Sequence, residues 1–336
     1  MLQVRFGVDL ESPDSRTLVG CGANSYHGPA STSPGGKTPL GARAKGLTHP
    51  VRYPVPTPFT RFRDEDDASF HARKLAEFDA YLDAHGHELG VLLVEPQWGS
   101  SVAAMPWPPA LLREYVKRAQ ARNIMVVCDE IMCGIGRHGQ APAGGGTGCF
   151  LAECWDLRPD VVTFGKAIGG GVGHLLSGAV LMHGAGVLEL SGRTAFQSHT
   201  YAGSSARALA NGAALLEGLE SYRPAVKSVE AAIEPALAEL NEAADGAVLC
   251  HGQGALWGGM WANANAGARA FANLKFKKKC AEKRVLPYYV PVGGFMLTPR
   301  YDDDPDALGA AVSDLAECAL AATREMGWAK DALITK

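Results

Sequence analysis

Short apolar runs alternate with stretches of helical spacing along most of this chain. Leu89-Gly90-Val91-Leu92-Leu93-Val94, Ile124-Met125-Val126-Val127-Cys128 and Val161-Val162-Thr163-Phe164 are brief, rich in β-branched residues and bounded by turns, as strands covered on both faces are. Residues 17–21 and 177–182 have the same texture. Between the first two runs, Pro108-Pro109 opens a helix that places Leu111, Leu112, Tyr115, Val116 and Ala119 on one face. Ahead of them, Phe70, Leu75, Phe78 and Leu82 predict a helix over residues 66–86. Strands and helices in this alternation predict an α/β protein with a mostly parallel sheet flanked by helices.

The texture changes after residue 203. Helices are expected over 204–221 and 223–243, then over 265–283 and 305–325, with strands at Ala247–Cys250, Leu256–Trp261, Val285–Tyr289 and Phe295–Thr298. This predicts a large domain over residues 1–221 and a smaller C-terminal α/β domain over 222–336. Residues 29–64, rich in Pro, Gly, Ser and Thr, read as one long loop.

Candidate chemistry sits where the predicted strands end. Lys166 follows the Val161–Phe164 run and precedes Gly169-Gly170-Gly171, so a buried strand delivers a lysine into a glycine turn. Carboxyl ends of parallel strands are where open α/β sheets bind ligands. There a lysine acts by becoming a neutral amine that attacks a carbonyl. Asp129 ends the preceding strand. A carboxylate that keeps a pyridine nitrogen protonated, beside a lysine that carries an aldehyde, suits a pyridoxal 5'-phosphate site.

Composition excludes other classes. With 336 residues and 47% hydrophobic content the chain can bury a large core. A net charge of −3 leaves no footprint for nucleic acid, and the run Lys275-Phe276-Lys277-Lys278-Lys279 reads as a solvated helix face. No apolar run reaches membrane-spanning length, and Met1–Phe6 lack the apolar stretch of a secretory signal. The eight cysteines contain no Cys-x-x-Cys, which predicts free thiols, no metal site and a cytoplasmic protein.

The ordered motifs resemble those of the class III aminotransferases, pyridoxal-phosphate enzymes of fold type I. The resemblance is most specific in Asp129-Glu130-Ile131-Met132-Cys133-Gly134-Ile135-Gly136-Arg137. Pro159-Asp160, the Thr163-to-Gly171 run, His199-Thr200-Tyr201 and Glu95-Pro96 continue it. It implies that Lys166 is the Schiff-base lysine and proton shuttle, and that Asp129 is the pyridinium partner. It further implies that Ile131 packs on one ring face and that the Tyr26-His27-Gly28 turn stacks on the other. Thr200 would reach the phosphate of the neighbouring subunit's cofactor, making the protein a homodimer, and Glu95 would be an acid near the substrate entrance. The implied activity is transamination between an amino acid or amine and a keto acid or aldehyde. Singly, Tyr26 and His27 read as turn or core residues, Thr200 as a helix N-cap, Ile131 as core and Glu95 as a strand end.

Two departures from the family pattern stand out. The family's Gly-Ser-rich phosphate loop, which precedes the Tyr-His turn, has no counterpart here, so the chain is expected to be N-terminally incomplete or a degenerate paralogue. The arginine that family members place before a Pro-Pro-Leu to clamp a substrate carboxylate is missing from Gly294–Tyr301, with the nearest arginine displaced to 300. The rival expectations are therefore a non-catalytic dimeric scaffold and an aminomutase of the same fold.

Overall fold

The computed structural model describes residues 16, 18–27, 54–59, 61, 65–142, 144–169, 177–181, 206–263 and 265–327. Five strands form the first sheet in the order β1 (Leu18–Gly20), β2 (Leu89–Val94), β3 (Met125–Asp129), β4 (Val161–Phe164) and β5 (Gly178–Leu181). The first four are parallel to their neighbours and β5 runs antiparallel on β4. The expected mostly parallel α/β sheet is therefore present.

Helices α1 (Asp67–His85) and α2 (Pro109–Ala121) are the crossovers on either side of β2. Asp66 caps α1 by accepting from the Ser69 N–H, satisfying a donor that the first helical turn leaves free. Phe78 of α1 stacks on Tyr115 of α2 at 3.9 Å between ring centroids. These rings join Leu92, Val94, Val126, Cys128 and Val162 from the sheet, with Trp98 and Trp107, in one continuous core.

Register at the heart of the sheet is locked by Asp160. Its carboxylate accepts the Val126 N–H at 2.7 Å while its own N–H reaches the Val126 carbonyl at 2.8 Å. The Pro159-Asp160 pair thus joins the start of β4 to β3 and sets Asp129 level with Thr163.

The helices expected over 204–221 and 223–243 are a single helix, α4, from Ala206 to Ala243; α3 is the single turn Leu151–Cys154. The residue-221 boundary therefore falls inside a continuous helix. Leu219, Val226, Val229, Ile233, Leu237 and Leu240 stay buried along it, so apolar spacing carries the helix through Pro224. That proline lacks the N–H that would bond the Glu220 carbonyl, and tertiary burial outweighs the lost bond.

Strands β6 (Val248–Gln253), β7 (Leu256–Trp261), β8 (Tyr288–Val290) and β9 (Gly294–Leu297) form a second, antiparallel sheet in the order β6-β7-β9-β8. The strand expected at Val285–Tyr289 starts later, because Arg284 ends helix α5 (Ala266–Lys283) with φ +59° and the chain needs three residues to turn. Side chains alternate faces along this sheet. Leu256 and Met296 enter the first core, whereas Trp257, Trp261 and Phe295 enter a second core with α4, α5 and α6 (Pro305–Glu325). The second sheet is therefore covered on both sides.

It approaches the 99–105 loop tightly at Gly258. A Cβ there would lie 2.2 Å from the Ala103 carbonyl oxygen and 2.8 Å from that of Phe295, both backbone atoms. Gly258→Ala is expected to lower the unfolding free energy by about 1–3 kcal/mol, read from the midpoint of urea unfolding. An unchanged midpoint would mean that the 99–105 loop moves freely off β7.

Candidate active site

Three neighbouring parallel strands end in ionisable residues. Glu95 follows β2, Asp129 is the last residue of β3 and Lys166 stands two residues beyond β4. The Glu130 N–H bonds the Thr163 carbonyl at 2.9 Å, so the register of β3 and β4 extends past the strand ends and fixes Asp129 relative to the lysine turn. The loop after β1 brings the fourth contribution, Tyr26 and His27.

His27 and Asp129 meet directly, with Nδ1 and Oδ2 2.8 Å apart. The Ile131 N–H donates to the other carboxylate oxygen at 3.1 Å. The His27 side chain is 3% exposed and its Nε2 is buried without a hydrogen-bond partner among the described residues; the Asp129 side chain is 13% exposed. A carboxylate can accept about four hydrogen bonds, so Asp129 keeps acceptor capacity on its open edge.

Lys166 opens a short 3-10 turn, Lys166–Gly169, with φ +44°, a sign of φ that residues with a Cβ rarely adopt. Its side chain is exposed to an open cleft, yet the walls withdraw enough water to hold its pKa below the ordinary lysine value. Asp129, Glu95 and Cys133 pull in the opposite direction by charge. Gly165 lets Ile131 close on the end of β4, since a Cβ there would stand 3.1 Å from Ile131 Cδ1.

Glu95 is buried beneath a loop. It is 5% exposed, and its carboxylate accepts the Tyr26 N–H at 3.4 Å and the Gly99 N–H at 3.2 Å. Burial pushes its pKa up to about 7, with His27 opposing and Asp129 reinforcing the rise. The loop over it is held down by Trp98 N–H to Met105 O and Trp107 N–H to Pro96 O, both 2.9 Å. Tyr26, tied at its backbone, leaves 44% of its surface open.

Thr200 lies outside the described residues, as do Gly28, Gly170 and Gly171. Tyr26, His27, Glu95, Asp129, Ile131 and Lys166 are the expected residues that the fold gathers.

The motif residue Glu130 has a role that its neighbour's chemistry obscured. Fully buried, it accepts the Leu151 and Ala152 N–H groups at 2.8 Å each, tying the Asp129 turn to α3. Burial raises its pKa to about 8. In the sequence Glu130 stands beside a buried strand end, a position that does not separate a structural acid from a catalytic one.

Lys166 also lines a cleft of about 530 Å³ with Met132, Arg137, Tyr222, Arg300 and Tyr301 among its walls. Asp129 and His27 do not line this cleft; Lys166 is the group common to both. Arg300, the displaced arginine, has a side chain 77% exposed and paired with Asp302. Arg137 comes instead from the tight turn after Asp129. There Ile135 takes φ +58°, a strained value for a β-branched residue, and its carbonyl accepts the Tyr301 hydroxyl at 2.6 Å.

The family described as aminotransferase class-III matches residues 7–281. The chain belongs to the class III aminotransferases. Adenosylmethionine-8-amino-7-oxononanoate aminotransferase of Nitratidesulfovibrio vulgaris is 29% identical to it over 253 residues, 70% of this chain and 44% of that protein. Ornithine aminotransferase of Staphylococcus carnosus is 36% identical over 97 residues, 29% of this chain and 22% of its own. The chain thus spans less than half the length of these curated relatives. The ω-transferase of Vibrio fluvialis JS17 superposes with a TM-score of 0.76 at 17% identity, over 97% of this chain and 76% of that one. The PMP-bound form of an aminotransferase from Vibrio fluvialis gives 0.76 at 18%, over 96% and 71%. At such identities the likeness is one of fold, and that fold is type I.

The class III enzymes use pyridoxal phosphate, and the residues gathered here fit its ring end. A carboxylate with spare acceptor capacity, an apolar side chain beside it and a desolvated lysine amine are the groups that such a ring requires.

A pH test follows from Glu95. Its folded pKa of about 7 lies above the ordinary glutamate value of 4.5, so folding favours its protonated form. Its contribution to stability is therefore most favourable below pH 4.5 and declines as pH rises through 7. The stability difference between the native chain and Glu95→Gln should shift against the native chain across that window and level off above it, as measured by denaturant unfolding at several pH values. A flat difference would place Glu95 in water.

Proposed function

We propose that this aminotransferase-family chain catalyses pyridoxal-phosphate-dependent transamination of an amino acid or amine with a keto acid or aldehyde. The observation that carries the reading is the placement of Asp129, bonded to His27, and of Lys166, with its lowered pKa, at the ends of adjacent parallel strands. Pyridoxal phosphate, when bound, supplies an aldehyde carbon for covalent attachment and a protonated ring that draws electron density from the substrate.

The chain's own residues would do the rest. The lowered pKa of Lys166 keeps more of Nζ neutral at a given pH than an ordinary lysine would, so it can attack a carbonyl carbon and later carry a proton from the substrate's Cα. Asp129 would hold a ring N–H in its charged form, with His27 and the Ile131 N–H fixing the carboxylate's orientation. Ile131 and Tyr26 would cover the two ring faces, and Glu95 would hold the Tyr26 turn in place through its backbone.

In the same reading the protein is a homodimer in which Thr200 reaches the partner's cofactor phosphate. Residues 222–336 form the smaller domain, which shares α4 with the larger. Eight free cysteines suit a reducing cytoplasm. Among the described residues, no helix is long and apolar enough to cross a membrane.

The purified chain incubated with pyridoxal phosphate should develop a visible absorption band that Lys166→Ala abolishes. Asp129→Asn should retain the band and slow single-turnover amino-group transfer about 100- to 1,000-fold. If the native chain at saturating cofactor gives no lysine-dependent band, the reading fails for this chain.

A further inference from the structure

The cleft beside Lys166 contains a cation that pairs with no carboxylate among the described residues. Arg137 is half-buried, and one end of its guanidinium is already committed. Nη1 donates to the Ala255 and Pro299 carbonyls, both at 2.9 Å. Its plane lies over the Tyr301 ring, 5.0 Å from Cζ to the centroid. Two carbonyls and an aromatic face orient a guanidinium without neutralising it, and no carboxylate pairs with Arg137 among the described residues. Nε and Nη2 remain as donors.

The other charged groups on the cleft differ in kind. Arg300 and Asp302 pair with each other at 3.0 Å and largely cancel. Lys166 is committed to covalent chemistry in the proposed reaction. Among the described residues, Arg137 is thus the charged wall group left to recognise substrate, and a pre-oriented guanidinium edge matches a carboxylate bidentately. A partly buried cation without a counter-ion is also costly until an anion arrives.

We propose that Arg137 is the carboxylate-recognising residue of this cleft, and that the substrate is an amino or keto acid whose carboxylate lies at the Tyr301 end, away from the reacting carbon. The inference takes the cleft to be the substrate space of the transamination proposed above. It assigns to Arg137 the task that Arg300, turned outward and paired, does not perform. Met132, Tyr222 and Leu215 leave the remaining wall largely apolar, which suits the hydrocarbon part of such a substrate.

Binding alone tests this, with no turnover required. Pentanoate and its neutral isostere pentanamide are titrated into the full chain and followed by ligand-observed NMR. The native chain should bind pentanoate at least about tenfold tighter than pentanamide, as expected for charge-assisted hydrogen bonds. The gap should persist in Lys166→Ala and close to below about threefold in Arg137→Met. Should loss of the two carbonyl bonds unfold that variant, Arg137→Lys keeps a cation there but removes the fork, and the gap should still shrink severalfold.

No gap in the native chain, or an unchanged gap in the folded arginine variant, overturns the assignment. A gap that disappears in Lys166→Ala assigns the anion to the lysine and overturns it equally. Because the readout is ligand binding, a chain that prefers carboxylates yet forms no lysine-dependent band refutes transamination while leaving the Arg137 site standing. The converse result separates the two in the other direction.

Discussion

Everything chemical in this protein depends on keeping opposite charges close while withholding most of the water around them. Register does that work. Because β2, β3 and β4 run parallel, their carboxyl ends rise together, and a residue one or two positions past each end enters the same space. A slip of one residue in β4 would reverse the faces of Val161 and Val162 and carry Lys166 away from Asp129. Asp160 opposes that slip by pairing its backbone and its carboxylate with Val126. A residue at the opposite end of the strand thereby fixes the site.

The resulting electrostatics are a balance of unequal terms. Desolvation is the largest influence on Lys166 and lowers its pKa, while Asp129 and Glu95 raise it. Protonating Glu95, which titrates near 7, would remove one of the two carboxylate charges that favour a cationic lysine. The acid beneath the Tyr26 turn and the amine on the cleft are therefore coupled without touching. Glu130 keeps out of that balance structurally, because the Leu151 and Ala152 N–H groups hold it on the far side of the turn.

Much of this was legible in the amino-acid order, for reasons that can be named. Strand-forming runs such as Val161-Val162-Thr163-Phe164 carry their own period and turn signals, and Lys166 and Asp129 are meaningful because they end such runs. Local patterns could not show depth. Glu95 before a proline looks the same whether it is open to water or lies under a loop, and the Trp98 and Trp107 backbone bonds that hold the loop over it are not visible in that pattern. Nor could they show that α4 is continuous. Pro224 is a local stop signal, and the burial that overrides it comes from α6 and the second sheet, distant in the chain. Nor could they show how the two arginines sit: Arg300 is turned to solvent and paired with Asp302, whereas Arg137 is half-buried with its Nη1 on two carbonyls.

The way Arg137 is held shows how the two cores cooperate. Arg137 belongs by sequence to the turn after β3, yet the carbonyls that hold it, Ala255 and Pro299, belong to the loops bounding β7 and β9. Tyr301 completes the arrangement, with its ring under the guanidinium and its hydroxyl on the strained Ile135 carbonyl. The second sheet is therefore more than a cover for the first core. Its loops hold a residue of the lysine cleft, so the position of the cleft's charge depends on how the second sheet seats against the 99–105 loop. Gly258, where those backbones meet without room for a Cβ, sets that seating. Displacement there would act on the cleft through Ala255, three residues earlier on the same chain segment and bonded to Arg137.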